Sequence, residues 1–167
     1  MIITDSQYTL LAATKYIAKG WAVLPVKPES KEPHFSLIKS GHLSATKELE
    51  LVKFWLHMDP TINLGISAKA SGLVILDVDF RNGGALNWDA SDTRVVSTPG
   101  GFHVYYRVNN PDYFYKGELE PGIDIKYNGY VLAPPSVING DRYFCANDVP
   151  VQQLPKEIEE RICRVRL

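Results

Sequence analysis

The chain is 167 residues long, 45% hydrophobic and 22% charged, with a formal net charge of −1. That is the size and make-up of one ordinary globular domain. It excludes a disordered chain, and a protein that attracts nucleic acid through a global basic field. The two cysteines, Cys145 and Cys163, sit in no CxxC or Cys/His cluster, so the expectation is that this chain alone builds no structural zinc site. The N-terminus lacks a basic stretch followed by an apolar one, and no apolar run approaches the ~18 residues of a membrane span. The expectation is a cytoplasmic protein with no membrane partner.

In chain order, Ser6 to Lys19 reads as a helix, capped by Ser6, with Leu10, Leu11, Thr14, Ile17 and Ala18 near one face. Gly20 fits a left-handed helix end. Trp21–Val26 is a short strand, followed by a charged, proline-rich loop, Lys27–His34, with Lys31 near its middle. Thr46 to Met58 is a second helix, capped by Thr46 and apolar at Leu49, Val52, Trp55 and Leu56; Asp59-Pro60 ends it. Ile62–Ile66 is a second strand.

Leu73-Val74-Ile75-Leu76-Asp77-Val78-Asp79 is the central strand, an unbroken apolar run followed by carboxylates at alternating positions. Side chains two apart on a strand share a face, so Asp77 and Asp79 point the same way. Arg94–Ser97 is a strand and Thr98-Pro99-Gly100-Gly101 a tight turn. Phe102–Val108 follows, with Phe102, Val104 and Tyr106 on one face and His103, Tyr105 and Arg107 on the other. Gly122–Lys126 is another strand. Asn128-Gly129 signals a hairpin into Tyr130–Ala133, which Pro134-Pro135-Ser136 ends. Arg142–Phe144 is a final strand and Pro155–Ile162 a C-terminal helix. The basic stretch Arg161–Arg166 reads as a solvated end. The fold class is α+β, mixed α/β.

Three carboxylates are chemical candidates: Asp77, Asp79 and Asp124, each among apolar residues of a strand. For any one of them a turn cap or an edge charge is the ordinary role. Together they offer the hard oxygens that Mg²⁺ or Mn²⁺ requires, provided their strands are neighbours. His103 follows a glycine turn whose backbone N–H groups can approach a phosphate, and Lys126 shares the strand face of Asp124. Lys31 and Arg142 are further cations, each of which also reads as a solvated surface charge. The tyrosines Tyr105, Tyr106, Tyr113, Tyr115, Tyr127 and Tyr130 read as core or hairpin packing, with base stacking as the alternative.

The ordered set Gly-Trp-x-Val-x-Pro, Lys-x-Pro, Asn-x-Gly-Ile, Asp-x-Asp, Gly-Gly-x-His-x-Tyr-Tyr, Gly-Ile-Asp-Ile-Lys and Gly-Tyr-Val-x-Ala-Pro-Pro-Ser runs from about Lys15 to Phe144. It resembles the primase-polymerase (Prim-Pol) domain of the archaeo-eukaryotic primase superfamily, found in plasmid, phage and prophage replication proteins. The resemblance implies an N-terminal αβ unit and an RRM-like, mainly antiparallel sheet, with the active site in the cleft between them. It implies catalytic metal ligands at Asp77, Asp79 and Asp124, for two Mg²⁺ or Mn²⁺ ions. It places His103 and Lys126 on the nucleotide's phosphates, with Thr98, Gly100, Gly101 and Lys31 alongside. Lys126 stands where relatives often carry Arg, giving a point charge in place of a bidentate fork.

The implied activity is a DNA primase and polymerase: template-directed nucleotidyl transfer on single-stranded DNA, using NTP or dNTP, with a replicative helicase or further domains as possible partners. The chain reads as a single catalytic domain, 1–167, with neither zinc stem nor helicase domain, in the cytoplasm of a bacterial, archaeal or phage-infected cell. Two alternatives stay open on the residues themselves: a metal-dependent nuclease or phosphoesterase, and a non-catalytic nucleotide- or single-stranded-DNA-binding module.

Overall fold

The structure, a computed structural model, describes residues 2–164. Its elements in order are α1 (Asp5–Ala18), β1 (Ala22–Val26), α2 (Leu49–Met58), β2 (Asn63–Ser67), β3 (Leu73–Asp79), β4 (Val95–Thr98), β5 (Gly101–Arg107), β6 (Phe114–Tyr115), β7 (Glu118–Glu120), β8 (Ile123–Lys126), β9 (Tyr130–Ala133), β10 (Val137–Ile138), β11 (Asp141–Arg142), β12 (Phe144–Asn147), β13 (Gln152–Gln153), α3 (Lys156–Ile162) and β14 (Cys163–Arg164). This is the α+β class expected. Of the basic stretch 161–166, residues 165 and 166 lie outside the described residues.

Two sheets dominate. β1, β2 and β9 form a three-stranded antiparallel sheet in the order β1-β2-β9, beside α1 and α2. The larger sheet runs β12-β4-β5-β3-β8-β7, with β13 added in parallel beside the end of β5. It is wider than the four strands of an RRM core, and every pairing except that of β13 is antiparallel.

β3 sits at the centre of this sheet, and its two faces serve different cores. Leu73 and Ile75, with Val96 and Tyr105, pack against the two helices and the small sheet. Val74, Leu76 and Val78 face the other way, onto Val104, Tyr106, Ile123 and Ile158 and Ile162 of α3. Burying each such side chain is worth roughly 1.5–3 kcal/mol, so the position of the strand is strongly held. The first face is apolar up to Ile75 and acidic from Asp77 onward.

Several local expectations are corrected. α1 is capped by Thr4, not Ser6: its side chain accepts from the Gln7 N–H, while the Gln7 side chain accepts from the Thr4 N–H, a complete capping box. The buried residues of α1 are Thr9, Ala13 and Tyr16, whereas Leu11 is exposed. α2 starts at Leu49, because the Thr46 backbone pairs with Val23 in both directions (2.8 and 2.9 Å) and is extended, not helical. Its buried face, Val52, Trp55 and Leu56, is the one expected.

Asn128-Gly129 does not close a hairpin. β8 pairs with β3 and β7, β9 pairs with β2, and the chain between them crosses from one sheet to the other. Backbone bonds from Ala68 to the Gly129 carbonyl and from Lys69 to the Tyr127 carbonyl hold that crossing beside the β2–β3 connection. The single strand expected at Arg142–Phe144 is instead a short hairpin, β10–β11, followed by β12 at the edge of the large sheet.

Candidate active site

The antiparallel register brings three of the candidate residues onto one rung. Asp77 on β3 stands opposite His103 on β5 and, on its other side, opposite Asp124 on β8. Directly opposed residues in antiparallel strands share a face. The next rung carries Tyr105, Ile75 and Lys126, so Lys126 lies diagonally from Asp77; the rung beyond Asp77 pairs Asp79 with Gly101.

The acidic face looks into a cleft made of two adjoining cavities, about 230 and 270 Å³. Asp77, His103, Lys31 and Tyr143 line both. The first is closed on its far side by Lys126 of the large sheet and Tyr130, Val131 and Leu132 of β9. The second extends to Asp79, Arg81, Thr98, Gly100, Asn139 and Asp141. The site therefore lies between the large sheet and the smaller sheet with its loops.

His103 is 5% exposed. Its Nε2 stands 3.5 Å from Asp77 Oδ1, a long, mainly electrostatic contact, and its Nδ1 is buried with no hydrogen-bond partner among the described residues. Burial would push the Asp77 carboxyl up. Contact with His103 and the charges of Lys126 and Lys31 outweigh that and hold it below its ordinary value, so Asp77 is an anion. Tyr143, also buried, packs 6.1 Å from the His103 ring. Burial, then the Asp77 charge, push its hydroxyl up to about 12, leaving a neutral donor at the wall of the cleft.

Asp79 is tied into the turn that follows it. Its Oδ1 accepts from the Arg81 N–H at 2.9 Å and its Oδ2 from Asn82 Nδ2 at 3.0 Å. Asp124 is exposed. The three carboxylates share a sheet face, but only Asp77 and Asp79 line the cleft and Asp124 lines neither of its cavities. They form no ready-made cage, since among the described residues no group of three or more His, Cys, Asp or Glu side chains is arranged to hold an ion. In donor chemistry the set does fit a divalent cation. Asp77 and Asp124 are opposed hard-oxygen donors, and each Asp79 oxygen keeps a lone pair beyond its one hydrogen bond.

Lys31 reaches this site from a loop that is held firmly. The Tyr130 hydroxyl donates to the Lys31 carbonyl, Asn63 Nδ2 donates to the Ser30 carbonyl at 3.3 Å, and the Asn139 N–H donates to Glu29 at 2.7 Å. Gly101 is placed by packing: a Cβ there would lie 1.9 Å from the Val78 carbonyl oxygen, so β5 approaches β3 more closely than any side chain permits. Gly100 carries no such crowding and its carbonyl accepts from the Phe80 N–H.

Arg142 is not brought to the site. It donates to the Pro135 carbonyl at 3.0 Å and lines a separate cavity beside Asp5 and Glu29. Tyr105 and Tyr106 are core residues, on opposite faces of β5. Sequence reasoning passed over Tyr143 and Arg81. Tyr143 follows a two-residue strand and precedes the edge strand, a position with no periodic signature.

A family model described as "Bifunctional DNA primase/polymerase, N-terminal" matches residues 13–157. The chain belongs to this family. The Prim-Pol family found is the one that the ordered motifs suggested, and the match covers both sheets and the last turn and a half of α1. DNA and nucleotides are accordingly the substrates this Prim-Pol domain is built to handle. No curated protein matches the chain. No helix among the described residues is long and apolar enough to cross a membrane.

Proposed function

We propose that the chain is a template-directed nucleotidyltransferase that makes or extends primers on single-stranded DNA, with Asp77, Asp79 and Asp124 as ligands of two divalent cations, Mg²⁺ or Mn²⁺. The observation that carries the reading is the single rung His103–Asp77–Asp124, of which His103 and Asp77 line a cleft shared with Lys31 and Lys126. When bound, the cations would lower the pKa of the attacking hydroxyl and neutralise the triphosphate and its leaving pyrophosphate. The protein's own contribution is positioning and charge.

Asp77 is held ionised, ready to act as a ligand. His103 and the neutral Tyr143 hydroxyl, both at the wall of the cleft, offer hydrogen bonds to phosphate oxygens. Lys31 and Lys126 both line the first cavity and neutralise charge there. Thr98 and the Gly100 backbone line the second cavity, where polar groups can meet further oxygens. The nucleotide, NTP or dNTP, is selected by pairing with the template strand. We further propose that the 167 residues act as one catalytic domain in the cytoplasm, alongside a helicase or further replication domains.

The test is direct. The protein is incubated with single-stranded DNA, Mn²⁺ and either nucleotide set, and the products are sized. The native chain lengthens labelled strands; the Asp77→Asn/Asp79→Asn double variant makes none while keeping its circular dichroism spectrum. Synthesis retained by the double variant sinks the assignment, and shortening of labelled DNA points to a nuclease instead.

A further inference from the structure

A further cavity, about 480 Å³, does not lie over Asp77. It opens on the other side of Lys126, at the end of β8, where the segment before β7 meets the crossing to β9 and the turn carrying His42. Its polar lining is His42, Lys116, Lys126, Asn128 and the rings of Tyr115 and Tyr130, with no carboxylate. The second active-site cavity, in contrast, is lined by Asp77, Asp79 and Asp141. Among the described residues none of His42, Lys116 and Lys126 is in an ion pair. The Tyr115 hydroxyl is buried without a hydrogen-bond partner.

Cations with no paired carboxylate make a site for an anion. The volume is that of a ligand of mononucleotide size. Tyrosine rings beside lysines are what a nucleobase and its phosphate require together. Lys126 and Tyr130 line this cavity and the first active-site cavity alike, so an occupant here lies beside whatever is held at Asp77. Joining nucleotides requires a second unit next to the incoming one, carrying the attacking hydroxyl.

We propose that this cavity binds the phosphate of that second nucleotide unit, either as a free nucleoside triphosphate or as a residue of a strand, through Lys116 and His42 on one side and Lys126 on the other. The identity of the ligand rests on the nucleotidyl-transfer reading. The charge pattern by itself requires only a phosphate ester. The site has no carboxylate of its own, so its binding does not depend on a divalent cation, unlike that at Asp77.

Binding is measured in EDTA at low salt, with ATP and with fluorescein-labelled octathymidylate as probes. The native chain is compared with Lys116→Glu and with His42→Ala, which alters a separate element and so stands in if the first variant unfolds. Lys116→Glu is expected to weaken at least one probe by about tenfold and to lower the salt slope of the oligonucleotide by about one. Loss confined to ATP identifies a free nucleotide, and loss confined to the oligonucleotide identifies a strand. Both probes unchanged within twofold in both variants overturns the proposal. Failure of the synthesis assay would remove the nucleotidyl-transfer reading while leaving this metal-free binding result standing.

Discussion

Alanine at two adjacent glycines should have opposite consequences. At Gly101 an added Cβ would lie 1.9 Å from the Val78 carbonyl oxygen and 2.9 Å from its carbon, both backbone atoms of β3. An ordinary carbon–oxygen contact is more than an ångström longer, so β5 would have to move away from β3 by about that much. The strain falls next to the rung that pairs Asp77 with His103. Overpacking of this kind costs about 3 kcal/mol, or a melting temperature lower by ~6–12 °C for a chain of this size. At Gly100 the nearest atom to the new Cβ is Asp79 Oδ1 at 3.8 Å, an ordinary contact, and the change should stay within about 0.5 kcal/mol. Urea titration of the two variants decides. A Gly101→Ala protein within about 1 kcal/mol of native, or a Gly100→Ala protein as destabilised as its neighbour, refutes the view that strand spacing fixes Gly101.

Three further outcomes are expected. Asp77 has a folded-state pKa below its ordinary 3.8, so its contribution to stability is present above that value and is lost as the pH falls below it; the stability difference between native and Asp77→Asn proteins should therefore change in the native protein's disfavour on acidification below about pH 4, as acid unfolding curves would show. Arg94, 4% exposed, has its guanidinium 5.2–5.6 Å from the ring centres of Tyr16, Trp21 and Tyr105, and among the described residues its only ion pair is at 3.5 Å with the exposed Asp148. Arg94→Ala should cost about 3 kcal/mol through the lost ring contacts and the cavity left, whereas Asp148→Ala should cost under about 0.5, both read by denaturation. Ser136→Ala should cost about 2–3 kcal/mol, since the Ser136 hydroxyl accepts from the Leu64 N–H at 2.9 Å and donates to its carbonyl at 3.1 Å, two buried groups that the substitution leaves unpaired.

The central strand and its acid pair were legible because they rest on local signals. An unbroken Leu-Val-Ile-Leu run marks a strand buried on both faces, and alternation places Asp77 and Asp79 together. The faces of β5 followed from the same period. That Asp124 and His103 flank Asp77 on one rung is a matter of register between strands far apart in the chain, which composition and period leave open. The Asn128-Gly129 turn misled for a related reason: the dipeptide specifies a backbone shape, while which sheet receives the next strand is decided by the free edge of β2. Thr46 misled because a good capping residue was claimed first by a backbone pairing with Val23. The Thr4–Gln7 capping box was present in the sequence and was simply the better of two candidates. Tyr143 left no trace in any pattern, since only the fold around it places it beside His103.

Pro134 and Pro135 cannot donate, and beyond Ala133 the hydroxyl of Ser136 completes the partnership of β9 with β2. The strand that finishes the smaller sheet thus comes from beyond the whole central run of the larger one. On a ribosome, Leu64–Ser67 have β1 on one side soon after they emerge, but their other neighbour is made only after β3, β4, β5 and β8 have passed. The first half of the chain cannot mature ahead of the second. Nascent chains stalled before residue 130 should expose that edge to chaperones, and chains that have brought residues 130–136 clear of the ribosome should lose it.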